Sequence, residues 1–202
     1  MTALNVTRLQ QRLGVAADGV LGPNTLRALF ARIGATPERA GELALGANVH
    51  FRRYGIVDSG LNLAHFCAQV AHESGNFRYM EEIASGAAYE GRADLGNVLP
   101  GDGKRFKGRG PLQVTGRANY RAIGRKIGVD LENHPEIAAL PSLGIWTACV
   151  FWEDNGLRAH ADADDLLAVS NGVNRGNPNS LKPPNGWADR QHQFARIKEI
   201  IL

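Results

Sequence analysis

Sulfur is scarce in this chain: two cysteines and two methionines stand among 202 residues. Cys67 and Cys149 each fall inside an apolar helical pattern, which predicts buried free thiols. A disulfide-stapled scaffold is not indicated. Long apolar runs are missing too. The longest, Trp146 to Trp152, is far too short to cross a bilayer, so no stable membrane insertion is expected. No low-complexity segment occurs, and 44% hydrophobic with 21% charged residues is the balance of a globular, water-soluble chain. The opening MTALNVTRLQQRLG lacks the uninterrupted apolar core of a secretion signal, so the chain is expected to begin its life in the cytoplasm.

Carboxylates are absent from one stretch. Between Asp102 and Asp130 there is no acidic residue, while Lys104, Arg105, Lys107, Arg109, Arg117, Arg121, Arg125 and Lys126 concentrate much of the net charge of +3. Such a segment suits a polyanionic partner, or it is simply a solvated basic face. No recognised nucleic-acid motif accompanies the charge, so no nucleic-acid partner is expected.

Alternating apolar patterns are also rare, which predicts a mainly α fold with room for a short β-hairpin in a glycine-rich segment. The length suits one domain with a small appendage. In the appendage, residues 1–36, Leu9 and Leu13 lie one helical turn apart. Asp18-Gly19 and Gly22-Pro23 mark a turn, and Asn24 or Thr25 is placed to cap a second helix bearing Leu26, Leu29 and Phe30. A polar stretch rich in Gly and Ala follows. A strong helix then begins behind Ser59-Gly60, with Leu63, Phe66, Cys67, Val70 and Ala71 at the spacing of a core-facing stripe. Residues 84–116 hold eight glycines and no sustained period, which predicts a long irregular, functional segment. Helical patterns resume at about Ala118–Ile127, Ser142–Phe151, from near Asp164, and from Trp187 onward.

Glu73 ends the best of these patterns and sits at the edge of its apolar stripe. Partial desolvation there is expected to keep its carboxyl protonated, as a general acid requires. Glu82 follows nine residues later, half a turn out of phase on an unbroken helix. A break at Ser74-Gly75-Asn76 allows the chain to fold back so that both carboxylates line one cleft. Two carboxylates held about 6.5–9.5 Å apart leave room for a water and suit glycosidic cleavage with inversion. Glu81 and Glu90 remain alternatives to Glu82. The pair His72-Glu73 also invites a zinc reading, but the second histidine of H-E-x-x-H would stand where Asn76 is, and His65 lies two turns from His72. No metal and no other cofactor are expected.

Two motif resemblances refine this reading. Leu9-Gln10, Leu13-Gly14, Asp18-Gly19, Gly22-Pro23, Thr25 and Ala28-Leu29 resemble the core of the peptidoglycan-binding module of wall hydrolases. The segment either binds wall by itself or only packs on the next domain. From Gly60 onward, AQVAHESGNFRYMEEIASGAAYEGR and GDGKRFKGRGPLQVTGRANY resemble glycoside hydrolase family 19, which holds chitinases and the similar lysozyme-type endolysins of bacteriophages. That resemblance implies a lysozyme-like helical domain with a cleft over residues 37–202. It implies Glu73 as acid, Glu82 as base and Thr115 as holder of the attacking water. Gln113, Asn119 and Tyr120 fall on its substrate-cleft positions, and Asn171 of VSNGVNRG on its water and sugar network. Arg190, on the buried stripe of the last helix with Trp187, Phe194, Ile197 and Ile201, matches an arginine beside the acids; a charge there needs a partner. His72 is expected to be a packed or hydrogen-bonding neighbour of the acid.

The expected function is hydrolysis of the β-1,4 bonds of peptidoglycan glycan strands by a monomeric endolysin, acting at the periplasmic or external wall after release. A chitinase is the alternative within the same chemistry. A wall-binding protein without activity is the alternative outside it.

Overall fold

The computed structural model describes residues 3–202. Among them the chain forms α1 (Val6–Leu13), α2 (Pro23–Ile33), α3 (Pro37–Arg53), α4 (Gly60–Glu73), α5 (Asp102–Arg105), α6 (Arg117–Ile127), α7 (Pro141–Asp154), α8 (Leu157–Asp162), α9 (Leu166–Arg175) and α10 (Trp187–Ile201). Short 3₁₀ turns occupy Ala87–Tyr89, Ala93–Leu95 and Pro135–Ala139. In place of a β-hairpin there are two isolated antiparallel bridges, Glu81 with Arg109 and Arg109 with Val114.

Helix α4 is the axis of the fold. The Ser59 side chain caps it by accepting from the Asn62 amide at 3.0 Å. Its residues from Leu63 to Ala71 are all buried, so it is enclosed on every side rather than along one stripe, with His65 and Gln69 as its buried polar groups. Helix α10 packs along it, and α8 and α9 cover further faces. Phe66 meets Phe51 of α3 and Trp152 of α7 edge-on, with ring centroids 5.2 and 5.3 Å away. Truncating such a ring, as in Phe66→Ala, costs about 3–5 kcal/mol.

The polar stretch rich in Gly and Ala is the seventeen-residue helix α3, capped by Thr36 and started by Pro37. Two glycines, Gly41 and Gly46, weaken its pattern. Gly46 is needed for packing: a Cβ there would lie 2.5 Å from the Ser142 carbonyl oxygen and 2.6 Å from Ile145 of α7. The close approach of α3 to α7 therefore explains a residue that otherwise disfavours helix. Helix α2 also starts differently from expectation. Pro23 opens it behind Gly22, with no side-chain cap. The Thr25 hydroxyl is engaged instead by Gln10, whose buried amide nitrogen donates to it at 3.0 Å and to Asp18 at 2.7 Å.

Leu9, Leu26, Leu29, Phe30 and Ile33 from α1 and α2 join the same apolar core as α3 to α10. Phe30 packs edge-on against Phe51 and against Phe77, the latter at 5.3 Å between centroids. Cys67 and Cys149 are buried free thiols, and burial pushes both up from the ordinary thiol range. Among the described residues no helix is long and apolar enough to cross a membrane.

The basic stretch is largely compensated by acids from elsewhere in the chain. Arg109 and Lys107 pair with Glu81, Arg117 with Asp102 and Glu132, Arg121 with Glu132, and Lys126 with Glu153 and Asp154. It is a network of ion pairs more than a bare cationic face.

Candidate active site

Glu73 is the last residue of α4. Beyond it Gly75, Asn76 and Phe77 take successive left-handed conformations, φ 57°, 59° and 64°, which turn the chain off the helix axis. Only glycine adopts this freely, so the two that follow are held by their surroundings. Phe77 is buried against Phe30, Arg39 Nη1 donates to the Phe77 and Arg78 carbonyl oxygens, and Arg196 Nη2 donates to Asn76 Oδ1 at 2.9 Å. The segment joining Glu73 to Glu82 is thus braced by α2, α3 and α10.

The Glu73 carboxyl is not bounded by hydrocarbon, as its place on the stripe suggests. Arg190, 1% exposed, donates from Nη2 to Glu73 Oε1, from Nη1 to Gln69 Oε1 at 2.5 Å and from Nε to the Asn185 carbonyl at 3.0 Å. Gln69 passes the network on to the Ser170 hydroxyl at 3.0 Å. Each nitrogen of the buried guanidinium therefore has a partner, as a buried charge requires. Beside it, His72 Nδ1 lies 2.5 Å from Asp189 Oδ2 on the first turn of α10. Gly186, at φ 68°, lets the start of α10 come so close that any Cβ would overlap the His72 ring.

Glu82 is half-buried and held by a different group. Its amide donates to the Gly108 carbonyl at 2.9 Å, the Gly108 amide donates to Glu82 Oε2 at 3.2 Å, and the Tyr89 hydroxyl donates to Oε1 at 3.1 Å. Lys107 Nζ donates to the Glu82 backbone oxygen at 3.1 Å. Tyr89 is raised from its ordinary value, by burial first and then by the Glu82 charge. The two alternative glutamates are otherwise engaged. Glu81 pairs with Arg109 and Lys107, and Glu90 accepts from the Gly101 and Gly103 amides at 2.6 and 2.8 Å.

Gly108 also places Gln113 and Thr115. A Cβ on it would stand 2.6 Å from Gln113 Oε1 and 3.3 Å from Thr115 Oγ1, so both side chains gather where Glu82 is anchored. Gln113 sits at φ 53°, an unusual backbone for a side chain of its size, and donates to the Gly110 carbonyl at 2.9 Å. Thr115 Oγ1 donates to the Gln113 carbonyl at 2.8 Å, and Asn119, exposed on α6, donates to the Thr115 carbonyl at 2.7 Å. Gln113, Thr115 and Asn119 line a cleft of about 510 Å³ whose far wall includes Asn155, Asn174 and Arg175.

Two residues expected at substrate contacts are enclosed by protein. Tyr120 is fully buried against Phe106, its hydroxyl donating to the Lys107 carbonyl at 2.8 Å and accepting from Arg109 at 3.2 Å. It supports the backbone that presents Lys107 and Gly108. Asn171 is buried too; its amide nitrogen donates to the Ser180 carbonyl at 2.7 Å while its Oδ1 has no partner among the described residues. Sequence reasoning missed Tyr89, Gln69, Asp189 and Gly186, none of which stands at a telling spacing from the acids.

The profile of glycoside hydrolase family 19, chitinase class I, matches residues 60–167. Chitinase 4 of Oryza sativa subsp. japonica is 34% identical over 146 residues, covering 68% of this chain and 50% of that protein. Endochitinase A of Zea mays is 36% identical over 148 residues, covering 70% of this chain and 52% of that protein. The chain thus spans about half the length of such relatives. Among solved structures, the class IV chitinase from Zea mays superposes with a TM-score of 0.59 at 22% identity, covering 96% of this chain and 90% of that one. Chitinase C from Streptomyces griseus superposes at 0.56 with 17% identity, covering 98% and 76%. These two show the same mainly α, lysozyme-like fold. With the profile matched across more than half its length, the chain belongs to glycoside hydrolase family 19.

Proposed function

We propose that this protein is a glycoside hydrolase that cuts β-1,4 bonds of bacterial peptidoglycan with inversion. The observation that carries the proposal is the contrast between the two glutamates. Arg190 occupies Glu73 Oε1, leaving Oε2 to carry a proton toward the glycosidic oxygen. Both Glu82 oxygens accept from fixed donors, Tyr89 and Gly108, which aim a carboxylate that can take a proton from water. Thr115, on the cleft wall beside Gly108, is the hydroxyl that orients this water, and Gln113 and Asn119 meet the sugar. His72 and Arg190 position the acid from behind. The step is a single displacement: water attacks the anomeric carbon, its proton passes to Glu82, and the leaving oxygen takes the proton of Glu73.

Peptidoglycan is favoured over chitin by the α1–α2 hairpin. Its wall-module motif surrounds the Gln10 network and opens on a concavity of about 550 Å³ lined by Asp18, Asn24, Thr25 and Arg27. Action at the wall, after release from the cytoplasm, belongs to the same reading, as does a monomeric enzyme. Chitin is the second reading, favoured by the names of the relatives. Purified protein incubated with peptidoglycan and with chitin oligomers, followed by mass spectrometry of the fragments, separates the two. New reducing ends from peptidoglycan, lost in Glu73→Gln, are expected. Faster turnover of chitin would overturn the substrate, and full activity of Glu73→Gln would overturn the mechanism.

A further inference from the structure

Where this chain gathers basic side chains around residues 107–126, it supplies carboxylates to meet them. Three arginines from helices distant in sequence meet no such carboxylate. Arg12 on α1, Arg32 on α2 and Arg196 on α10 line a concavity of about 410 Å³, completed by Glu199 and Ile200. Neutral oxygens hold two of the three guanidiniums. Arg12 Nη1 donates to the Glu199 backbone carbonyl at 2.6 Å. Arg196 Nη2 donates to the Ile33 carbonyl at 3.2 Å, to Asn76 Oδ1 at 2.9 Å and to Gln193 Oε1 at 2.6 Å. Such acceptors fix the direction of a guanidinium and leave its charge intact.

Among the described residues none of the three forms an ion pair within 4.0 Å, not even with the exposed Glu199 carboxylate on the rim. Burial first, and then the Arg32 charge, lower Arg196 from its ordinary value, against Asp189, which raises it. Arginine stays charged throughout the ordinary pH range, so this crowding is not relieved by losing a proton. A bound anion would relieve it. Guanidinium forks match tetrahedral and planar oxyanions with paired N–H donors, and arginines from three helices converge from different sides.

We propose that this concavity is a binding site for phosphate groups carried by a water-soluble polyanion. The surroundings favour such a carrier over a bilayer. The exposed large apolar residues, among them Val20, Ile83, Val98, Leu99 and Leu181, do not line it; only the half-buried Ile200 does. Nothing there would enter an acyl layer.

Calorimetric titration with inorganic phosphate at constant ionic strength, with chloride as the control, tests the site. Saturable binding with a Kd on the order of 1 mM is expected. Arg12→Gln and Arg32→Gln should each weaken it about tenfold, and Glu199→Gln should tighten it about threefold. Arg32 is exposed and its side chain donates no hydrogen bond among the described residues, so Arg32→Gln should melt in chloride as the parent does; Arg32→Lys should bind at an intermediate strength. Poly(glycerol phosphate) should follow the same ranking, while vesicles of phosphatidylglycerol in phosphatidylcholine should bind no better than phosphatidylcholine alone. Absence of saturable phosphate binding, or equal affinity in Arg12→Gln, Arg32→Gln and the parent, would overturn the site. Vesicle binding that the arginine substitutions abolish, without binding of the polymer, would overturn the water-borne carrier.

Discussion

Arg190 and Glu73 meet across 117 residues of chain, and the guanidinium that reaches the carboxyl is itself almost wholly enclosed. Its other nitrogens are spent on Gln69 and on the Asn185 carbonyl, so the contact fixes α10 against the end of α4. Removing one partner of a buried ion pair costs about 3–5 kcal/mol, and here, with the guanidinium enclosed and the carboxyl part-exposed, the lower end applies. Arg190→Gln is therefore expected to lower the unfolding free energy by about 3 kcal/mol and turnover at least tenfold. Arg190→Lys, which keeps the charge and loses the fork, should recover part of the stability and little of the turnover. An unfolding midpoint equal to that of the parent in urea would contradict the role given to this residue.

Glu82 and Glu90 should separate by what substitution does to each. Glu82→Gln is expected to fold normally and lose about 100-fold or more in kcat. Glu90→Gln takes a charged acceptor from the Gly101 and Gly103 amides and should cost about 1–2 kcal/mol of stability with kcat retained. Steady-state kinetics and urea unfolding on both variants check this. The opposite pattern would move the base to Glu90.

Gly186 carries two burdens, a left-handed φ and the His72 ring against its Cα. Gly186→Ala should destabilise the protein by about 1 kcal/mol from the backbone alone, plus the displacement of His72. In a His72→Ala background only the first part should remain. Equal penalties in the two backgrounds, measured as a double-mutant cycle, would show that the two residues do not press on each other.

His65 gives a pH test. Burial holds it down from 6.5 to about 4, against the bond and charge of Asp164, which act the other way. The unfolded chain therefore takes up a proton before the folded one as pH falls. The stability involved is complete above pH 6.5 and is lost progressively toward pH 4, up to about 3 kcal/mol. Glu132, lowered to about 2 chiefly by Arg121, loses its contribution below its unfolded value of 4.5 in parent and variant alike, so it cancels in a difference. Urea unfolding at pH 7.5 and pH 4.5 should show a smaller drop in His65→Gln than in the parent. Identical drops would remove His65 from the account.

How much could be read beforehand follows from what each feature depends on. The Ser59 cap, the apolar run of α4 and its end at Ser74-Gly75 rest on neighbours within a turn or two, and the sequence by itself determined them; the left-handed Asn76 and Phe77 beyond are held by α2, α3 and α10. The same holds for α6, α7, α9 and α10, whose helical patterns are local, and for the family, which rests on contiguous motifs. Helix α3 escaped because Gly46 looks like a helix breaker until α7 is laid against it. Tyr120 looked like a cleft residue because position in a motif does not say which way a side chain turns; the cage of Phe106, Lys107 and Arg109 turns it inward. The basic stretch looked unbalanced because its carboxylates come from Glu81, Asp102, Glu132, Glu153 and Asp154, which lie outside it in sequence. Spacing along a chain encodes which residues share a face. It does not encode which faces meet, and the tertiary packing alone decided that Glu73 would find Arg190 and that three arginines would find no acid.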